Sequence, residues 1–111
     1  MKELLEKINE FHQEFPHGEY DRFDQDILNK RIGETWEIEE QIEEAAQHLK
    51  KGDTALCIMP ADVVKKRSKI REVTVKYHGK YKNDYNDFSD FIRVSDGKYS
   101  WYQPKNKIVK K

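Results

Sequence analysis

The sequence predicts an α+β fold, with about three N-terminal helices followed by a small, strongly curved antiparallel sheet or barrel. Three observations carry this reading. Apolar residues recur at helical spacing up to Leu49 and at strand spacing from Thr54 onward. Between the two rhythms stands Lys51-Gly52-Asp53, a short breaker segment. The charge reverses at nearly the same point: residues 1–59 carry 7 Lys+Arg against 15 Asp+Glu, a net −8, and residues 60–111 carry 14 against 6, a net +8.

Leu4, Leu5, Ile8, Phe11 and Phe15 share one stripe, which predicts a helix over 2–15 ended by Pro16-His17-Gly18. Tyr20, Phe23, Ile27, Leu28 and Ile32 predict a short second helix capped by Asp21 or Asp24. Ile38, Ile42, Ala45, Ala46 and Leu49 predict a third, starting at Thr35 as N-cap, with Glu34, Glu37, Glu39, Glu40, Glu43 and Glu44 on its first turns and outer face. His48, Lys50 and Lys51 suit its C-terminal end, and Gly52 its left-handed C′ position.

Beyond Gly52, the apolar run Thr54 to Met59, closed by Pro60, predicts a buried strand, and the alternation from Ile70 to Tyr77 predicts another. Lys65-Lys66-Arg67-Ser68-Lys69 between them reads as a basic loop or a single helical turn. His78-Gly79-Lys80 reads as a turn and Lys82 to Asp87 as a loop. Phe91 to Ser95, Asp96-Gly97 and Lys98 to Gln103 predict a hairpin with a tight type I′ turn, and Lys105 to Lys111 an edge strand or a frayed end. There is no internal repeat.

At 111 residues the chain is expected to be one domain, 1–111, made of an acidic helical part (1–51) and a basic β-rich part (52–111). Charged residues at 38% make it polar, while aromatic residues at 12% supply apolar area enough for an ordered core. No apolar run reaches membrane-spanning length and the N-terminus is acidic where a signal peptide is apolar, so a cytoplasmic protein without membrane attachment is expected. The single cysteine, Cys57, rules out an internal disulfide and lies in an apolar strand, where a buried structural thiol is expected.

Lys51-Gly52-Asp53 entering an apolar strand, then Ile70-Arg71-Glu72-Val73-Thr74-Val75, then Tyr99-Ser100-Trp101-Tyr102-Gln103-Pro104 resembles the small KOW-like or Tudor-like β-barrels of bacterial and phage accessory proteins. The resemblance spans Lys51 to Pro104 and none of the helices. It implies a small barrel that binds nucleic acid or a protein partner without chemistry; a shared fold by itself assigns no function.

Cys57 with His48 or His78 is a candidate nucleophile and base, and His12, His17, Asp21, Asp24 and Asp26 a candidate metal or acid–base cluster. Neither shows the spacing such chemistry uses, and the five glycines are too scattered to cradle phosphate. An enzyme is therefore the third and weakest class, with no catalytic residue, metal or cofactor expected.

Two binding surfaces remain. Glu37, Glu40 and Glu44 share a helix face that can engage a basic groove on a protein partner, such as one that handles nucleic acid, and this non-catalytic binding or inhibitory role is the leading expectation. The alternative is direct nucleic-acid binding by Lys65, Lys66, Arg67, Lys69 and Arg71 with Tyr81 and Trp101, drawn from a wider set that includes Tyr77, Tyr85, Tyr99 and Tyr102. The opposed charges of the two halves also leave self-association as a possible mode.

Overall fold

The computed structural model describes residues 1–65, 67–82, 84–85 and 88–111. Helix α1 (Lys2–Glu14) leads through a 3₁₀ turn (Tyr20–Arg22) into helix α2 (Gln25–Ala46). Strand β1 (Thr54–Ile58), a short helix α3 (Pro60–Val64), strand β2 (Ile70–Lys82), strand β3 (Phe88–Ser95) and strand β4 (Ser100–Gln103) follow. A second 3₁₀ turn (Lys105–Lys107) delivers the chain to strand β5 (Ile108–Lys110). The fold is α+β, and its antiparallel sheet has the order β4-β3-β2-β1-β5.

Helix α2 is one element where the sequence suggested two. Leu28, Thr35, Ile42 and Ala46 are buried along one face, with Ile32 and Ile38 packed beside them, so the apolar stripe runs unbroken past Gly33. A mid-helix glycine costs about 1 kcal/mol, which this burial outweighs. Thr35 is therefore a buried helix-interior residue whose hydroxyl donates to the Arg31 carbonyl at 2.9 Å, and the cap is Asp24, whose carboxylate accepts from the Asp26 and Ile27 amides. The helix also ends sooner than expected, at Ala46, because Leu49 leaves the helical path to enter the core. Gly52, at φ 94°, then serves the turn into β1: its amide donates to the Val75 carbonyl of β2.

Three further expectations change. His78-Gly79-Lys80 lies within β2, not in a turn, and pairs with β3 through His78–Ile92, Gly79–Phe91 and Lys80–Asp90. Pro60 closes β1 and also starts α3, its missing amide being free of consequence at a first helical turn. The β3–β4 hairpin forms where expected, but its loop holds Asp96 to Tyr99: Ser95 pairs with Ser100, and the Asp96 carboxylate accepts from the Lys98 and Tyr99 amides. The C-terminal tail is an edge strand, with Ile108 and Val109 buried against β1.

The sheet is curved and open. Its outer strands β4 and β5 are consecutive in sequence and joined only by residues 104–107, so the two edges must approach each other. Gln103 bridges the gap, its side-chain amide donating to the Ile58 and Lys107 carbonyls while its oxygen accepts from the Trp101 indole. Inside the curl, Ala55, Cys57, Val73, Val75, Ile92, Val94 and Ile108 form one core with Ala46 and Leu49. Leu5, Ile8, Ile42, Ile58, Val63 and Val109 form a second between helices and sheet, and Phe11, Phe15 and Leu28 a third between the long helices.

Candidate binding faces

The side of β2, β3 and β4 away from the inner core carries the largest cluster of exposed rings. Alternation in β3 sends Ile92 and Val94 inward and Phe91 and Arg93 outward. In β2 the register shifts between Val75 and Tyr77, an irregularity that turns Tyr77 and Tyr81 outward while His78 stays inside. Tyr77, Arg93 and Tyr102 consequently form a row across three strands. Tyr77, Tyr81, Phe91 and Tyr102 are 53%, 52%, 37% and 54% exposed.

These rings hold one another. The Phe91 ring lies 5.9 Å from Tyr77, 6.2 Å from Tyr81 and 4.4 Å from Tyr102, edge-on to the first two and tilted against the third. Gly79 makes this possible: a Cβ there would stand 2.6 Å from the Tyr77 hydroxyl, so the phenol occupies the space a side chain would fill. Arg93 sits over Tyr102, 5.4 Å from the ring centre, and donates to the Ser100 hydroxyl at 3.0 Å. It has no carboxylate partner among the described residues. Asp90, the carboxylate of β3, points inward and bonds His78 at 2.9 Å.

The residues expected to bind nucleic acid are not brought together. Lys65, Arg67 and Lys69 are exposed at the α3–β2 connection, and Lys66 lies outside the described residues. That connection is tied to α1: the Ser68 hydroxyl donates to Asn9, and Gln13 donates to the Ser68 carbonyl. Arg71 is committed to a fold contact, donating through Nε and Nη2 to both oxygens of the buried Asp62, with Asp96 at 3.9 Å. Trp101 faces the inner core, partly buried and bonded to Gln103. Tyr81, with Tyr77 and Tyr102 of the wider set, does belong to the aromatic face, but the strand separates that face from Lys69 by about 26 Å from Lys69 to Tyr77 at ~3.3 Å per residue. Phe91 and Arg93 were outside the expected set, although the strict alternation of Phe91 to Ser95 already put them opposite Ile92 and Val94.

Glu37, Glu40 and Glu44 are all exposed on α2 and form no ion pair among the described residues. Their neighbour Glu39 is different: its carboxylate accepts from Lys107 and Asn106 at 3.3 Å. The acidic and basic halves thus meet within one molecule, and Lys80 and Lys105 border the same shallow depression as Glu40, Glu43 and Glu44.

Cys57 is fully buried, and burial pushes its thiol up to about 12. Asp24 is occupied as the α2 cap and His12 is buried, so the residues around Pro16 form no cluster. Among the described residues no group of three or more His, Cys, Asp or Glu side chains could hold a metal ion, and no helix is long and apolar enough to cross a membrane. Comparisons with protein-family models, curated proteins and solved structures give no match.

Proposed function

We propose that the protein is a non-catalytic binding module that holds single-stranded nucleic acid on the outer face of β2, β3 and β4. One observation carries this reading: four half-exposed rings, Tyr77, Tyr81, Phe91 and Tyr102, share a face with an arginine that has no carboxylate partner among the described residues. Every base has a π-face, so such a platform accepts bases without regard to sequence, at about 1–3 kcal/mol per stacked ring, while Arg93 meets the phosphates. The curl that brings Gln103 to Ile58 supports the resemblance to small KOW-like or Tudor-like barrels, which is part of the same proposal. Titrating a labelled single-stranded oligonucleotide at low salt tests it. Affinity should fall modestly as salt is raised, with a slope of about 0.7 in log affinity per log salt for each phosphate met, and Arg93→Ala should lessen that dependence; absence of binding at low salt removes the proposal.

A second reading rests on a separate surface. Glu37, Glu40 and Glu44 stay free of ion pairs among the described residues although cations lie close by. An acidic ridge of this kind fits a basic groove on a protein, the mode expected of an inhibitory accessory protein. Changing all three to Lys should abolish co-purification of a host protein and leave the fold intact; retention of the same partner would exclude the ridge as its contact.

A further inference from the structure

Among the described residues, β1 pairs with β2 only from Ile70 to Thr74, and β4 pairs with β3 only from Ile92 to Ser95. Tyr77–Lys82 and Phe88–Phe91 therefore form a two-stranded ribbon that runs past the other strands of the sheet. Such ribbons are marginal in water unless something else holds them.

What holds this one is buried. His78, its side chain 8% exposed, places Nδ1 2.5 Å from the Leu49 carbonyl oxygen in the α2–β1 connection. Its Nε2 lies 2.9 Å from the Asp90 carboxylate of β3, a side chain 9% exposed, and Lys105 stands 3.9 Å from the other Asp90 oxygen. A carbonyl oxygen only accepts, and so does an ionised carboxylate. A neutral imidazole has a single N–H, so it satisfies one of these contacts and turns a lone pair on the other. Both bonds form together only when the His78–Asp90 pair carries one further proton, as imidazolium beside carboxylate or as imidazole beside carboxylic acid.

From this geometry we propose that the pair is a proton-dependent clasp, which fastens the ribbon to the α2–β1 connection and releases one of its two bonds when that proton leaves to solvent. Once it has left, an oxygen faces a nitrogen lone pair at hydrogen-bond distance, and their repulsion parts the contact. Charges on three elements border the depression that Asp90 lines: Lys80 of the ribbon, Lys105 of the second 3₁₀ turn, and Glu40, Glu43 and Glu44 of α2. His48 and Lys50, both exposed, flank Leu49. The cations favour departure of the proton and the glutamates oppose it, so α2 helps set the clasp. This inference does not rest on the sheet-face reading.

NMR of the His78 ring nitrogens follows the proton, and amide hydrogen exchange, expressed as protection factors, follows the ribbon. On the alkaline side of the His78 titration the amides of Tyr77–Lys82 should be about tenfold less protected than on the acid side, while those of β1 keep their protection. Asp90→Asn should keep the ribbon protected and remove the step, because its amide can donate to a neutral ring. An imidazole that does not titrate between about pH 5 and 9, equal protection on both sides of the titration, or the same step in Asp90→Asn would overturn the proposal.

Discussion

At His12, burial decides the protonation state. Desolvation is the main cause, with the Lys107 charge adding to it, and together they lower the imidazole from its usual 6.5 to about 4. Between those values the unfolded chain binds a proton that the folded chain refuses. His12 therefore leaves stability undiminished above about pH 6.5 and removes it as pH falls toward 4, by about 3 kcal/mol in total. Urea midpoints measured from pH 7 to pH 4 should fall for the native protein and fall less for His12→Phe; equal slopes would show that the imidazole is solvated in the folded state. The position was legible in part. His12 lies four residues from Ile8 and seven from Leu5, both fully buried, so helical spacing placed it inward, whereas its proximity to His17 and the acids around Pro16 suggested a cluster that folding does not assemble. Cys57 was legible outright, because an apolar strand on both sides of a thiol leaves it nowhere else to go.

Among the elements, α1, the start of α2 at Asp24, β1 and the β3–β4 hairpin follow directly from periodicity and turn chemistry. The division of α2 did not hold, because Thr35 resembles a cap in sequence while the stripe from Leu28 to Ala46 needs it inside the helix. Gly79 misled for a related reason: a glycine in sequence signals a turn, but here it vacates space for the Tyr77 phenol. Trp101 was readable by parity. Lengthening the hairpin loop from two residues to four moves the pairing by two positions, which keeps every side chain on its face, so Trp101 stays with Ile92 and Val94 under either register. Gly79→Ala isolates the role of that glycine. It should leave global stability within about 1 kcal/mol, since the clashing atom is the end of a side chain that can swing away, and it should weaken oligonucleotide binding severalfold by displacing Tyr77 from Phe91. Undisturbed binding with a displaced ring would remove Tyr77 from the platform.

Over the whole molecule, the reversal of charge along the sequence becomes contact in space. Lys107 and Asn106 of the second half close on Glu39 of the first, so part of each half's charge is answered within the fold. What the linear sequence could not convey is the thirteen-residue length of β2, which carries the basic connection and the aromatic cluster to opposite ends of one strand. Composition joined those features into one site; the strand makes them two. The most direct measurement compares the affinity of a single-stranded oligonucleotide for three forms of the protein: native, Phe91→Ala with Tyr102→Ala, and Lys65→Ala with Arg67→Ala and Lys69→Ala. Loss of one to two stacked rings should reduce affinity by at least about tenfold in the second form, while the third changes far less. Binding that survives removal of the two rings and collapses with the three cations would contradict the account and return the site to the α3–β2 connection.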